Sequence, residues 1–194
     1  MTTEKIIIML GSSSDFSFAH HIEDFLRDAR FPVRVEYRVN SAHRNPERLL
    51  NDIKSYEQSG DKIVFITVAG LSDALSGVVA ANSKHPVIAC PPDIEKHGFA
   101  KMFSTVMTPK GVAVCLVSSP ENAALAAVKI LALSNASLQK RVSEYIAEVR
   151  NAVVRADAEI KSKGVGERER EHIERIEHLE HGEHVEHGED AEDT

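Results

Sequence analysis

Tryptophan is absent, aromatic residues make up 5% of the chain, and only two cysteines occur among 194 residues. Cys90 and Cys115 lie in or beside apolar runs and form no CxxC pair. This argues against a disulfide framework and fits a reducing compartment. Long hydrophobic runs are also missing. The N-terminal MTTEKIIIMLG has a short apolar stretch stopped by Gly11, too short for a signal-peptide core or a membrane span. A soluble, cytoplasmic protein with no membrane partner is expected. An excess of positive charge is lacking too, since the net charge is −7. From Gly164 onward there are twelve acidic and three basic residues, whereas the first 163 residues carry eighteen and twenty. The folded part is therefore near neutral, with no basic face for nucleic acid. No GK[ST] follows a glycine-rich turn and no GxGxxG is found, which excludes two common nucleotide loops.

Against these absences stands 42% hydrophobic content, enough for a sizeable core. Residues 5–10 (KIIIML) read as a strand buried on both faces. Ser12-Ser13-Ser14-Asp15 offers caps for a helix to about Arg30, and Pro32 ends that helix. Val33–Val39 is the second strand, followed by a helix over Glu47–Ser59 with Pro46 at its first turn. Lys62–Ala69 is the third strand and Ala74–Ser83 a small-residue helix. Pro86–Cys90 is a short fourth strand stopped by Pro91-Pro92. Residues 93–111 read as a loop with one helix near Phe99–Met107. Val112–Val117 is the fifth strand. A helix follows to Leu133, and a long one runs from about Ser137 to Lys163. Strands alternating with helices predict an α/β fold. The expected architecture is a three-layer αβα sandwich, flavodoxin-like, with a five-stranded parallel sheet and a long C-terminal helix. Val142, Tyr145, Ile146, Val149 and Val153 give that helix an apolar stripe, which suits either its own domain or a neighbouring subunit.

From Glu171 the chain becomes a triplet repeat of the EHI, ERI, EHL kind. A period of three drifts around a helix and forms no stable stripe. Residues 164–194 are thus expected to be a low-complexity, disordered tail appended to a domain of residues 1–163. His172, His178, His181, His184 and His187 suit Ni²⁺ or Zn²⁺, but a solvated acidic tail is the favoured reading and no metal site is assigned.

Ligands of open parallel sheets bind beyond the carboxyl ends of the strands. Three strands here end in small, polar turns. Gly11-Ser12-Ser13-Ser14-Asp15 places hydroxyls and backbone N–H groups at a helix start, which suits a phosphate, with Asp15 an acceptor for sugar hydroxyls. Simple helix capping explains the same residues. In Ser41-Ala42-His43-Arg44 the planar fork of Arg44 suits the same phosphate, and His43 is a candidate general acid or base. An ordinary surface loop is the alternative. Gly70-Leu71-Ser72-Asp73-Ala74-Leu75-Ser76-Gly77 leaves room for a ligand near the backbone, or packs a helix closely on the sheet. His85 reads as a strand-entrance residue, His20 and His21 as helix surface, and His97 as part of a loop able to cover the pocket.

Taken together, G-S-x-S-D, S-A-H-R-x-P and A-G-x-S-x-A-L-S-G after successive strands resemble the PurE family of purine biosynthesis. The likeness continues through Ile88–Pro92, Met107–Gly111 and Pro120–Ala127, and covers roughly residues 4–150. The third turn, A-G-L-S-D-A-L-S-G, is similar to the branch that carboxylates aminoimidazole ribonucleotide (AIR) directly with CO2 to give carboxyaminoimidazole ribonucleotide (CAIR). The other branch, a mutase acting on N-carboxylated AIR, typically carries G-G-A-A-H-L-P-G there. Leu71 stands where the CO2-using branch usually has Arg, and Asp73 where it has Asn. Arg44, where that branch often has Lys, is the mutase-like choice.

The resemblance implies a carboxylase that needs no metal, ATP, biotin or other cofactor and assembles as a homo-octamer. Ser12, Ser14, Ser41 and Arg44 would hold the 5′-phosphate of AIR and Asp15 its ribose. Gly70, Ser72 and Ala74 would face the new carboxylate, and His43 would move the C4 proton.

Overall fold

The computed structural model describes residues 3–182. Five strands form one parallel sheet: β1 (Glu4–Leu10), β2 (Arg34–Val39), β3 (Lys62–Val68), β4 (Val87–Ala89) and β5 (Cys115–Leu116), in the order β2-β1-β3-β4-β5. The continuous apolar run of β1 is what a central strand requires. Ile6, Ile7, Ile8 and Met9 are fully buried, because both faces are covered by helices.

The helices are α1 (Phe16–Asp28), α2 (Pro46–Gln58), α3 (Ala74–Asn82), α4 (Ile94–His97), α5 (Phe99–Val106), α6 (Pro120–Ala132) and α7 (Ala136–Gly182). On one face, Ile7 and Met9 of β1 and Phe65 of β3 pack with Leu49 and Ile53 of α2 and Val79 of α3. On the other, α1 and α6 pack together, burying Ala19, Ile22, Ala124, Ala127 and Val128. Each fully buried Ile or Leu contributes about 1.5–3 kcal/mol relative to exposure. This apolar sandwich is what keeps the strand ends in place. The three-layer α/β architecture agrees with the sequence pattern.

The edges differ from expectation. Strand β5 is shorter than Val112–Val117, because Val112 is drawn into a turn: its N–H donates to Pro109 O at 3.1 Å and its carbonyl accepts from Thr108 Oγ1 at 2.8 Å. The 93–111 region holds two helices rather than one, divided at Gly98, whose φ of +54° suits glycine.

The chain divides into two units at Tyr145 and Ile146. Within the first, the start of α7 packs on its own domain. Tyr145 meets Phe25 and Phe31 at ring-centroid separations of 5.5 Å, and Arg141 Nε donates to Ala29 O at 2.9 Å. Within the second, Val149 and Val153 are exposed. The helix continues past Lys163 to Gly182, through part of the triplet repeat. Glu and Arg have good helix propensity, and a solvated helix needs no apolar stripe. His172 is exposed on it, His178 and His181 fall within it, and His184 and His187 lie outside the described residues.

Candidate active site

The carboxyl ends of β1, β2 and β3 are brought level by the sheet itself. Beyond the strands, Asn40 N–H donates to Leu10 O and Gly11 N–H to Val68 O, both at 2.8 Å. Parallel pairing therefore carries the three following turns to one edge, where they surround an open cleft of about 540 Å³. Gly11, Ser12, Ser14 and Asp15 line it from the first turn, Ser41, Ala42, His43 and Arg44 from the second, and Ala69, Gly70, Leu71 and Ser72 from the third, with Leu75 below. Every candidate substrate residue but Ala74 is there. Ala74 is the first residue of α3 and does not line the cleft.

In the first turn the capping reading is realised. Ser12 Oγ caps the short 3-10 turn Ser13–Asp15 by accepting from Ser14 N–H at 3.4 Å, and Asp15 answers by accepting from Ser12 N–H at 2.8 Å. The same side chains still line the cleft. Glycine relieves a tight approach at position 11, since a Cβ there would lie 3.1 Å from Ala69 Cβ. Asp15 is buried. Desolvation raises its pKa above the ordinary carboxylate value, and the Asp93 carboxylate adds to this. The Ser12 N–H, the Lys101 ammonium and the Gly70 N–H act in the opposite sense.

In the second turn Ser41 Oγ accepts from Arg44 N–H at 3.2 Å and from Arg44 Nε at 3.4 Å, which bends the guanidinium back over the turn. Arg44 Nη2 then donates to Gly11 O at 3.4 Å. Ser41 thus positions Arg44, and Arg44 ties the second turn to the first. His43 is exposed at the rim, and among the described residues no hydrogen bond holds its imidazole. Its nitrogens are accessible to a ligand.

The third turn contains two of the residues, Leu71 and Asp73, at which the sequence departs from its resemblance. Leu71 is 73% exposed and has a φ of +56°, a backbone state that costs a non-glycine residue about 1–2 kcal/mol. Its N–H donates to Asp93 Oδ2 at 2.6 Å and its carbonyl accepts from Lys101 Nζ at 2.5 Å. Asp73 is buried beneath the turn. Its carboxylate accepts from Ser76 N–H at 3.1 Å, Ser76 Oγ at 2.8 Å and Thr105 Oγ1 at 2.8 Å, so it caps α3 and joins it to α5.

Sequence reasoning missed Asp93 and Lys101. An acidic residue in a loop and a lysine in a helix carry no local signal of their role. The one available hint was the i, i+3, i+4 spacing of Lys101, Ser104 and Thr105, which puts all three on one face of α5. His97 Nε2 lies 3.6 Å from Asp93 Oδ2, and His97 lines a second cavity with Leu71, Ser72 and Lys101. His85 sits before β4, 3.6 Å from Glu57, as a strand-entrance residue should. His20, His21 and Asp24 bring ligand-type atoms within 4.8 Å of one another on α1, but Arg27 already pairs with Asp24 at 2.8 Å. No described helix is long and apolar enough to cross a membrane.

Known proteins share this arrangement. Residues 5–152 match the family model described as AIR carboxylase. A phosphoribosylaminoimidazole carboxylase of Archaeoglobus fulgidus is 43% identical over 157 residues, which cover 81% of this chain and 85% of the relative. An N5-carboxyaminoimidazole ribonucleotide mutase of Methanocaldococcus jannaschii is 37% identical over 158 residues, covering 80% and 97%. The crystal structure of Treponema denticola PurE superposes with a TM-score of 0.77 at 34% identity, covering 81% of this chain and 99% of that one. Fold and sequence agree over the same stretch, and on that agreement the chain belongs to the PurE family.

Proposed function

We propose that this chain is the CO2-using member of its family, a carbon–carbon lyase class enzyme that adds CO2 to C4 of AIR to give CAIR in de novo purine biosynthesis. The observation that carries the reading is the meeting of three turns in one cleft, where the guanidinium and imidazole of the second turn face the same space as the hydroxyl-bearing first turn and the small-residue third turn. The third-turn sequence Ala69–Gly77, similar to that of the direct carboxylases, favours CO2 over an N-carboxylated substrate.

In this reading Arg44, Ser41, Ser12 and Ser14 receive the 5′-phosphate and Asp15 the ribose hydroxyls. A buried carboxylate already accepting backbone N–H groups is held rigidly enough to select those hydroxyls. The aminoimidazole then lies toward Gly70 and Ser72, and the apolar Ala42 and Leu75 help exclude water. The C4 electron pair forms the bond to the CO2 carbon, and one C=O pair moves onto oxygen to give a carboxylate. Gly70 and Ser72 are assigned to that carboxylate, and Ala74, which starts α3 outside the cleft, is not. The adduct keeps hydrogen on C4, and the exocyclic amine, now an iminium at C5, shares the positive charge with the adjoining ring nitrogen. His43 removes that proton, and the C–H pair restores the aromatic ring. In reverse, His43 protonates C4 before CO2 departs. The reading includes the cytoplasmic homo-octamer that the family resemblance implies, and mass measurement in solution tests it.

A second reading is the mutase reaction. Arg44, the mutase-like residue of the second turn, and the likeness to the Methanocaldococcus mutase favour it. Purified protein given AIR with CO2, and in parallel N-carboxylated AIR, decides between the two. CAIR formed from AIR and CO2 at a catalytic rate is the expected result. Turnover of the N-carboxylated compound alone overturns the first reading for the second.

A further inference from the structure

Lys101 is among the largest fully buried side chains of the protein, and it belongs to neither the apolar core nor the cleft wall. A buried ammonium is costly unless its donors are all met. Here two of the donors are met by carbonyls of the third turn, and the charge is faced by a neighbouring carboxylate. Nζ lies 2.6 Å from Ala69 O, 2.5 Å from Leu71 O and 3.5 Å from Asp93 Oδ1. Asp93 completes the arrangement through its other oxygen, which accepts the Leu71 N–H at 2.6 Å. The peptide groups on both sides of Leu71 are therefore held from outside the turn, one by an anion and one by a cation. One helical turn further on, Ser104 Oγ accepts the Asp73 N–H at 3.3 Å and Thr105 Oγ1 donates to the Asp73 carboxylate. One face of α5 thus grips the turn along its whole length.

This accounts for the backbone of Leu71. A leucine at φ +56° persists only where its surroundings dictate it. Gly70 N–H, directed at Asp15, and Ser72, at the cleft wall, sit on either side of the strained residue. Relaxing Leu71 would move both.

We propose that Lys101 and Asp93 are positioning residues that hold Gly70–Ser72 in the shape that receives the CO2-derived carboxylate, without touching the substrate themselves. The proposal rests on the carboxylase reading above. It separates two parts of the site: the phosphate seat, built by the first and second turns, is independent of the clamp, whereas the carboxylate seat depends on it.

The test is steady-state kinetics of full-length Lys101→Met, Asp93→Asn and Ser104→Ala, with circular-dichroism melts of each. Ser104→Ala removes the mildest tie and guards against failure of the buried-charge variants to fold. For Lys101→Met and Asp93→Asn we expect a ten- to hundredfold rise in the half-saturating CO2 concentration or an equal loss of turnover. We expect the Michaelis constant for AIR to change less than about threefold, the pattern of a group that acts on the reacting end alone. Ser104→Ala should show the same split, smaller. If activity per folded molecule is unchanged, or if the AIR constant rises in step with the CO2 constant, the clamp is merely structural and the proposal fails. Wild-type protein that turns over only N-carboxylated AIR overturns the carboxylase reading instead. The clamp is then judged on that substrate, where turnover should fall at an unchanged Michaelis constant.

Discussion

Arg44 Nη2 lies 3.4 Å from the carbonyl oxygen of Gly11, so that a side chain of the second turn closes over the backbone of the first. In the proposed reading neither turn forms the phosphate seat alone. The contact is long, and a guanidinium has five donors, so most of its hydrogen-bonding capacity remains for a ligand. Replacing Arg44 with Ala should raise the Michaelis constant for AIR by about ten- to hundredfold, the scale of one charge-assisted hydrogen bond. Thermal melts should be nearly unchanged, because the residue is exposed. An unaltered Michaelis constant in folded protein removes Arg44 from the seat.

His43 sits beside Arg44 but makes no protein hydrogen bond among the described residues. Its removal should therefore spare binding and stability. His43→Asn is expected to bind AIR normally and lose at least about 10²-fold in turnover, the usual contribution of a general acid–base group. Single-turnover measurement of CAIR formation checks this. Near-normal turnover assigns the proton to another group.

Gly11 is favoured by close approach. A methyl at that position meets Ala69 Cβ at a tight 3.1 Å, putting steric pressure on the third turn, while Asp15 Oδ2 at 3.5 Å is in ordinary contact. Gly11→Ala should cost about 1–3 kcal/mol of stability as an overpacked site. It should also weaken AIR binding, read from melts with and without AIR. A variant that melts like wild type shows that the turns can separate.

Glu57 offers a pH test away from the cleft. Burial pushes its pKa up, but the Ser83 O–H at 2.6 Å, His85, the Lys84 N–H at 3.2 Å and the Lys84 ammonium together outweigh this and leave the pKa below the ordinary 4.5. His85 contributes little at neutral pH, because burial lowers its own pKa and leaves it largely uncharged there. A depressed carboxylate pKa adds stability above the unfolded value, and this is lost as pH falls through the folded value. The melting advantage of wild type over Glu57→Gln should thus be full at pH 7 and shrink below about 4.5. A constant difference from pH 7 to pH 3 excludes the linkage.

Much of the fold was legible because its signals are local. KIIIML is apolar at every position, as only a strand covered on both faces can be, and Pro32, Pro46, Pro91 and Pro120 mark the boundaries of elements. The site turns were legible for the same reason, since strand order in a parallel sheet carries successive carboxyl ends to one edge. Boundaries failed where a nonlocal or opposing effect intervened. Val112 reads as strand but is held in the Pro109 turn, and α7 outlasts its apolar stripe because helix propensity alone continues it.

The sequence by itself therefore determined the five strands, the three cleft turns and the candidacy of His43, because each depends on residues adjacent along the chain. Tertiary structure alone decided which groups hold those turns in shape. Lys101 reaches Ala69 across 32 positions and Asp93 reaches Leu71 across 22. A buried ion pair of this kind leaves no periodic trace, since its partners are chosen by packing of α5 against α3 and β5. The strained Leu71 is legible only after those partners are in place, because its conformation is imposed on it from outside the turn.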